Sequence, residues 1–374
     1  MIANDFARSS IFAIVGTRPE VIKMAPVVAA LKRRHLPVQV VATGQHYNWQ
    51  MMGSFLEGFK LSVDHQLALE NRDLLGSFVE ILGRLGDLFA KERPSLVLAV
   101  GDTTTVFAAA LAARKTGSAF GHVESGLRAF SRELPEEEHR ICADALAELL
   151  FAPTRIAVEN LTREQVNGKV ILTGNPVLDA LRMHPPAVTP PEQRKGVLVT
   201  LHRQETVDDP NKLAQVLAAL GAVHNLRGER QQVLWPVHPR TVAKVKEAGL
   251  HFPSTVEICE PLGHTEFLAK LASVKLVVTD SGGVQEESAI LGTPCVTVRN
   301  NTERPETIAA GVGLMAHIET RAIIQAIHHI FDDWASFARP VSHLYGDGRA
   351  GDKIASACAD WLASREVPLR KTAT

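Results

Sequence analysis

Short runs of apolar residues recur along the first half of the chain, and most of them end in glycine, aspartate, histidine or serine. Four such runs begin at Ile11, Val38, Leu96 and Ala119. Apolar runs of this length are typical of strands that are buried on both faces of a parallel sheet. Segments of helical length, such as Pro26 to Arg34 and Thr104 to Arg114, follow the first and third runs. The pattern predicts βα units and a parallel sheet.

The same alternation of apolar runs and longer segments occurs again in the second half, with runs that begin at Val197, Val233, Leu276 and Pro294. Residues 183–196 separate the two series, and their prolines cannot continue a helix or a central strand. The predicted domains are therefore residues 1–182 and 197–351, with residues 183–196 as a linker. Residues 352–374 are interpreted as a helix that can return to pack on the first domain.

These patterns predict an α/β fold with two Rossmann-like, doubly wound domains. In such folds the ligand lies beyond the carboxyl ends of the strands. Most polar motifs of the chain fall at such ends, so the predicted active site lies in a cleft between the domains.

Composition excludes several classes of function. Lys plus Arg (40) nearly balances Asp plus Glu (41), so no overall field attracts nucleic acid or an anionic membrane. The four cysteines form no CxxC pair, which argues against a zinc knuckle or a redox dithiol. Because no signal peptide or long apolar span is evident, we expect a cytoplasmic protein.

Two strand-to-helix turns have the composition of phosphate sites. Residues 16–20 (GTRPE) offer a tight turn, backbone donors that we expect to be free, and the cation Arg18; Lys23 lies a little over one helical turn later. Residues 281–283 (SGG) form a second turn of this kind, whose glycines let the backbone approach a diphosphate. Glu287 follows as a candidate acceptor for ribose hydroxyls. The alternatives are a plain turn at the first site and a helix cap at the second.

Carboxylates cluster after consecutive elements of the first domain. Asp102, Glu124 and Glu136 lie in GDTTT, HVESGLR and PEEEHR, respectively. Crowded or desolvated carboxylates can act as acid and base near neutral pH. Asp102 can instead cap a helix, and the acids after Pro135 suit an ordinary helix start. Glu124 is the hardest to explain structurally, because a charged group at the end of an apolar strand needs a partner or a task.

Two histidines, His202 and His238, follow strands of the second domain and are candidates for substrate contact, although a lone histidine is often structural. No metal site is predicted. The sequence contains no GxxxxGK[ST] loop, which argues against a P-loop nucleotidase. No convincing nicotinamide motif is present either.

Ten motifs occur in an order that resembles the non-hydrolysing UDP-N-acetylglucosamine 2-epimerases. They are GTRPEVIKMAP, TGQH, GDTTT, HVESGLR, PEEEHR, TGNPV, TLHRQE, PVHPRT, TDSGGVQEE and TERPET. The resemblance runs from about Ile11 to Gly313. It implies the two-domain arrangement of GT-B glycosyltransferases, a UDP-sugar substrate and a homodimer.

The resemblance also implies roles for individual residues. Catalytic positions would be Asp102, Glu124, Glu136 and His202. The nucleotide and diphosphate would be surrounded by Arg18, Lys23, Phe267, Ser281, Gly282, Gly283, Glu287 and Arg304. The implied reaction is C2 epimerisation through elimination and re-addition of UDP, and it requires no external cofactor.

Some residues depart from the family pattern. His139 and Thr206 stand where asparagine is usual, so the surface that meets the sugar can differ. In some family members a second substrate molecule binds near the positions of Gln45 and His46 and activates the enzyme. The segment that follows these residues here differs from the same segment in those members. Alternatives that stay open are a C2 epimerase of a related UDP-diacetamido sugar or uronate, a hydrolysing epimerase, a GT-B glycosyltransferase and a non-catalytic sugar-nucleotide sensor.

Overall fold

The computed structural model describes residues 10–45, 49–70, 73–223, 225–226 and 229–366, and the chain divides into two compact units. Unit 1 takes the chain up to Met183 and again from Tyr345 onward; unit 2 is His184–Leu344. The boundary that the sequence suggests after residue 351 falls inside a helix of unit 1. Residues 1–9 and 367–374 of the predicted domains, and His46 of the TGQH motif, lie outside the described residues.

Unit 1 is built around a seven-stranded parallel sheet with the strand order β3-β2-β1-β4-β5-β6-β7. Its elements are β1 (Ile11–Val15), α1 (Arg18–Arg33), β2 (Val38–Ala42), α2 (Trp49–Gly58), β3 (His65–Gln66), α3 (Leu74–Glu92), β4 (Leu96–Val100), α4 (Thr104–Thr116), β5 (Ala119–Val123), α5 (Pro135–Leu146), β6 (Leu149–Ala152), α6 (Arg155–Arg163), β7 (Lys169–Leu172) and α7 (Pro176–Met183).

Strand β1 shows why the sheet needs helices on both faces. Ile11, Ala13 and Val15 pack into one apolar cluster with residues of α1. Phe12 and Ile14 point the other way, into a second cluster with residues of α3 and α4. Because successive side chains of a strand alternate between faces, a strand that is apolar throughout must be covered on both sides.

Unit 2 contains a six-stranded parallel sheet with the order β12-β11-β8-β13-β14-β15 and a separate short pair, β9 with β10. Its elements are β8 (Val197–Thr200), α8 (Gln204–Val207), α9 (Pro210–Val223), β9 (Asn225–Leu226), β10 (Glu229–Arg230), β11 (Val233–Pro236), α10 (Pro239–Glu247), β12 (Val256–Cys259), α11 (His264–Leu271), β13 (Leu276–Thr279), α12 (Gly282–Leu291), β14 (Cys295–Val298), α13 (Pro305–Ala309), β15 (Gly313–Ala316), α14 (Thr320–Asp332) and α15 (Trp334–Phe337).

Two parallel sheets, each wound with helices, confirm the prediction of two Rossmann-like α/β units. The proline-rich segment that follows Met183 is attached to unit 2: the buried Arg194 guanidinium donates to the carbonyl oxygens of Gly292 (2.7 Å) and Thr189 (3.0 Å). No helix within the described ranges is long and apolar enough to cross a membrane.

Helix α1 starts earlier than the segment from Pro26 that the sequence indicates. It begins at Arg18, with Pro19 in its first turn, and Pro26 lies in its interior. Proline lacks the amide hydrogen that an interior position uses, and such a residue ordinarily costs about 3 kcal/mol. The helix persists because it is buried along most of its length.

Helix α16 (Ala350–Glu366), the last described element, packs against α1 of the same unit. A methyl group at Gly351 would lie 2.7 Å from the carbonyl oxygen of Pro26, so the two helices touch through backbone at this point. The Asp179 carboxylate of α7 accepts hydrogen bonds from the amides of Ala350 (3.2 Å) and Gly351 (2.9 Å). These are first-turn amides that have no partner within a helix.

Replacing Asp179 with alanine is expected to lower the free energy of unfolding by about 1–2 kcal/mol, because two amides of α16 lose their acceptor. Equilibrium urea denaturation measures the effect. Asp352→Ala is the matched control, since its ion pair with Arg33 (2.7 Å) is exposed and is expected to contribute at most about 1 kcal/mol. Equal losses in the two variants would contradict the capping role of Asp179.

Candidate functional site

Asp102 and Glu124 follow two neighbouring strands of unit 1. Val100 of β4 pairs with Val123 of β5, and the Gly101 amide donates to the Val123 carbonyl oxygen (3.1 Å). The turns that carry the two acids are therefore adjacent at the carboxyl edge of the sheet. Ligands of doubly wound sheets bind at this edge.

Each of these acids is held by a buried cation. The Lys23 ammonium lies 2.7 Å from both carboxylate oxygens of Glu124. An Arg140 guanidinium nitrogen donates to Asp102, whose side chain is 29% exposed. Glu124 thus has the partner that its position demands. Asp102 does not cap α4, where the N-cap position is Thr103.

Glu124 has an unusual backbone conformation. Its φ of 69° lies in the left-handed region, which costs a non-glycine residue about 1–3 kcal/mol. The Glu124 and Ser125 amides both donate to the carbonyl oxygen of Phe151 (3.0 and 3.2 Å), and these bonds keep the turn in place. Residues held in this way concentrate at functional sites.

Helix α5 supplies the third acid and its surroundings. Glu136 lies in the first turn of this helix, half-buried. The next residue, Glu137, is buried; its carboxylate accepts from the amides of Ala129 (3.0 Å) and Phe130 (2.8 Å) and pairs with Arg140 (2.7 Å). Of the three consecutive glutamates in PEEEHR, Glu137 is therefore structural.

A buried ionic cluster lies directly behind these turns. The Asp144 carboxylate contacts His122 Nδ1 (2.6 Å), the Arg128 guanidinium (2.7 Å) and the Gly126 amide (3.0 Å). His122 Nε2 lies 2.7 Å from the carbonyl oxygen of Gly101. Because both imidazole nitrogens meet acceptors, the ring fits best as a doubly protonated cation.

The ionisation of this cluster follows from its contacts. Burial alone would lower the pKa of His122, but the Asp144 charge and hydrogen bond outweigh it and raise that pKa. Burial would raise the pKa of Asp144, whereas the charges of His122 and Arg128 hold it below the usual range. The cluster connects Gly101, next to Asp102, with Gly126 in the turn that carries Glu124.

The GTRPE turn differs from the expected phosphate site. The amides of Gly16 (2.5 Å) and Thr17 (2.9 Å) donate to the Glu20 carboxylate, so these donors are not free. The sequence Thr-x-x-Glu at a helix start has the signature of a capping box, in which the glutamate reaches back to the N-cap amide. Arg18 remains half-buried at this turn, with its guanidinium 5.6 Å from the centre of the Phe55 ring.

In unit 2, His202 follows β8 and is exposed. Its neighbour is Asp280, the fully buried aspartate that precedes the SGG turn. One Asp280 oxygen accepts from the amides of His202 (2.9 Å) and Arg203 (2.8 Å), and the other lies 3.3 Å from His202 Nδ1. Asp280 therefore joins the loop of His202 to the start of α12.

The SGG turn opens α12, with Ser281 as N-cap and Gly282 and Gly283 in the first turn. Gly282 is fitted against Glu303: a methyl group there would lie 2.5 Å from a Glu303 oxygen. Arg304 is also buried nearby and donates to Glu286 of α12. Amides at this helix start, together with Arg304, can bind an anion.

The remaining predicted residues of unit 2 occupy different settings. Phe267 of α11 packs beside an apolar cluster, half-buried. Glu287 is buried and lies 3.1 Å from His264 Nε2. His238 caps α10, since its Nδ1 accepts from the Arg240 amide (3.2 Å). This contact gives His238 a structural role, and its contact with substrate stays a prediction.

Both departures from the family pattern lie close to the predicted acids or to the His202 loop. His139 Nδ1 lies 2.9 Å from the carbonyl oxygen of Asp102, and its ring stacks on Phe107 with centroids 5.6 Å apart. Thr206 is fully buried in α8, four residues after His202.

Comparisons with known proteins agree with this arrangement. The profile of the UDP-N-acetylglucosamine 2-epimerase family matches residues 29–359. The UDP-N-acetylglucosamine 2-epimerase of Methanococcus maripaludis is 35% identical over 358 residues, which cover 91% of this chain and 96% of that protein. The UDP-2,3-diacetamido-2,3-dideoxy-D-glucuronate 2-epimerase of Pseudomonas aeruginosa is 33% identical, with coverages of 93% and 99%.

A solved structure shows the same likeness in three dimensions. The Methanocaldococcus jannaschii UDP-GlcNAc 2-epimerase, solved in complex with UDP-GlcNAc and UDP, is 32% identical and superposes with a TM-score of 0.84; the match covers 94% of this chain and 99% of that one. The profile spans most of the chain, and the relatives exceed 30% identity over nearly their whole length. The ordered motifs, the two doubly wound units and these matches together show that the chain belongs to the UDP-N-acetylglucosamine 2-epimerase family, whose members are isomerases.

Proposed function

We propose that this protein interconverts UDP-N-acetylglucosamine and UDP-N-acetylmannosamine by inverting C2 of the sugar. The observation that carries the proposal is the pair of acids on adjacent strand ends of unit 1. Asp102 and Glu124 are each fixed by a buried cation, Arg140 and Lys23. Such fixed carboxylates are suited to proton transfer, because a catalytic base must be held within reach of the proton that it abstracts.

The chemistry of the substrate sets the mechanism. C2 has no adjacent carbonyl group, so simple loss of its proton would leave an unstabilised carbanion. In the proposed step a carboxylate takes the C2 proton, the C–H electron pair forms the C1–C2 double bond, and the bond from C1 to UDP breaks. The products are UDP and 2-acetamidoglucal. Re-addition of UDP to C1, with protonation of C2 on the opposite face, completes the epimerisation without an external cofactor.

Inversion needs proton-handling groups that serve two faces of C2. Asp102, Glu124 and Glu136 are the proposed candidates in unit 1, and His202 is the candidate in unit 2. Arg140 and Lys23 then hold two of the acids in place, and Asp280 holds His202.

Unit 2 is proposed to hold the nucleotide. The first-turn amides of α12 at Gly282 and Gly283, with the hydroxyl group of the N-cap Ser281 and Arg304 beside them, would bind the diphosphate at a helix N-terminus. Charge grows on this group as UDP leaves, and the loss of one donor to such charge commonly costs about 3 kcal/mol. Glu287 would accept from the ribose, Phe267 would line the nucleotide site, and Arg18 would add a cation from unit 1.

A related substrate is the second candidate. The relative from Pseudomonas aeruginosa bears the name of a UDP-2,3-diacetamido-2,3-dideoxy-D-glucuronate 2-epimerase, and the match covers 93% of this chain. His139 and Thr206, which lie near Asp102 and His202, are the positions at which the sugar contacts can differ. The predicted homodimer and the cytoplasmic location stay predictions.

Proton NMR of UDP-N-acetylglucosamine with the pure protein in deuterium oxide tests the proposal. We expect deuterium to enter C2 as the anomeric signals of UDP-N-acetylmannosamine grow. Release of free N-acetylmannosamine would show a hydrolysing epimerase instead. Binding without exchange would exclude this substrate, and the diacetamido uronate would then be assayed in the same way. Binding of every UDP-sugar without exchange would favour a sensor.

A further inference from the structure

Glu20 is a buried acid with no part in the chemistry proposed above. Only 3% of the residue is exposed. One carboxylate oxygen accepts from the amides of Gly16 (2.5 Å) and Thr17 (2.9 Å), and the other accepts from the Thr103 hydroxyl group. The two oxygens thus face two different turns of unit 1.

Both turns carry residues of the proposed site. Gly16 and Thr17 form the turn after β1 that leads into Arg18. Thr103 is the N-cap of α4, and it follows Asp102 directly in the chain. Since neighbouring residues in a tight turn move together, a bond to Thr103 also restrains the backbone of Asp102. Glu20 therefore links the turn that leads into Arg18 to the residue that follows Asp102.

The space around this connection is closed. A methyl group at Gly16 would lie 2.2 Å from the Thr105 hydroxyl oxygen and 2.6 Å from that of Thr43. Those two hydroxyl groups bond to each other at 2.8 Å. The turn after β1 is thus packed against the first turn of α4 as well as bonded to it through Glu20.

We infer that Glu20 is a positioning residue, which fixes Asp102 through Thr103 and fixes Arg18 through the GTRPE turn. The inference rests on the proposed function for its kinetic consequence, but the bond itself can be tested without activity. Glutamine at position 20 can preserve the geometry, because its carbonyl oxygen can accept from both amides while its NH₂ group donates to Thr103. Alanine at position 20 removes all three bonds.

The ionisation of Glu20 offers a readout of the bond. Burial raises the pKa of Glu20 to about 7, with a further rise from the Asp102 charge, while the Thr103 hydroxyl and the two amides act to lower it. The Asp102 carboxylate is itself paired with the Arg140 guanidinium. Helix α1 also carries Arg18 and Lys23, and Lys23 is paired with Glu124. Loss of the Thr103 hydroxyl should move the Glu20 titration to higher pH.

Carbon-13 NMR of protein labelled at the glutamate side-chain carboxyl tests this directly. The Glu20 resonance is identified by its absence in Glu20→Gln. We expect its midpoint near pH 7 in the wild type, unchanged in Thr103→Ser and higher in Thr103→Val. An equal midpoint in Thr103→Val and the wild type would overturn the inference, whether or not the protein epimerises any sugar.

Steady-state kinetics test the positioning role. Glu20→Ala and Thr103→Val should lower kcat by about tenfold or more with little change in KM, because small misplacements of a catalytic group can cost up to about 100-fold. Glu20→Gln and Thr103→Ser should retain most of the activity, as should Glu159→Gln, an exposed control on α6. Wild-type kcat in Thr103→Val would overturn the inference, whereas an inactive wild type would refute only the proposed function.

Discussion

Replacing Glu124 with glutamine is expected to lower the rate of C2 epimerisation by about 10²- to 10⁴-fold, the usual contribution of a positioned acid or base. Glutamine keeps the size and one acceptor oxygen of the side chain but cannot take up the C2 proton. Deuterium exchange at C2, followed by NMR with UDP-N-acetylglucosamine, measures the loss. The same change at Glu159, which is exposed on α6, provides the control.

Stability must be separated from catalysis in this variant. Lys23 is only 8% exposed, and its ammonium loses its carboxylate partner when Glu124 is replaced. Breaking a buried ion pair on one side ordinarily costs about 3–5 kcal/mol. The double variant Lys23→Met with Glu124→Gln removes both charges and should recover much of the unfolding free energy without recovering activity. Exchange within threefold of the wild type in folded Glu124→Gln would refute Glu124 as a catalytic acid or base.

The central strands could be predicted from the sequence because each is a continuous apolar run. The strands β1, β4, β5, β8 and β13 are buried almost throughout, as their apolar sequences predict. The edge strands β3, β7 and β12 are not marked by continuous apolar runs, since they are short and partly exposed. An edge strand buries less apolar surface, so its composition approaches that of a loop.

Individual residues of the candidate site could be predicted from the sequence, but the partners that hold them could not. Asp102, Glu124 and His202 stand out because each lies within two residues of the end of an apolar strand. Their partners do not stand out: Lys23 is 101 positions from Glu124, and Asp280 is 78 positions from His202. Such contacts depend on strand order, which no local pattern contains.

Local sequence rules could have predicted the contacts of Glu20 and Arg140. Thr17 followed three residues later by Glu20 has the capping-box signature, which implies that the glutamate occupies the helix start. Arg140 lies one helical turn beyond Glu136 and Glu137, so it shares a helix face with them. The capping box explains why the Gly16 and Thr17 amides are not free. A contact between Arg18 and phosphate stays a prediction.

Replacing Asp144 with asparagine is expected to lower the free energy of unfolding by about 3–5 kcal/mol, the cost of breaking a buried ion pair on one side. The Asp144 carboxylate meets only donors, from His122, Arg128 and Gly126. An asparagine NH₂ group would face those donors and leave buried groups unsatisfied. Urea denaturation measures the loss, and Asp87→Asn, exposed on α3, is the control.

The effect of Asp144→Asn should depend on pH. In the wild type the pKa of His122 is raised, so its contribution to stability is complete below the ordinary value of 6.5 and is lost as the pH rises through the raised value. Without the Asp144 charge, burial lowers the pKa of His122, so the variant loses stability as the pH falls below 6.5. The gap between wild type and variant should therefore be widest on the acid side and should narrow at alkaline pH. A gap that widens with rising pH, or stays below about 1 kcal/mol at pH 6, would show that the cluster does not hold a charged imidazole behind the turns that carry Asp102 and Glu124.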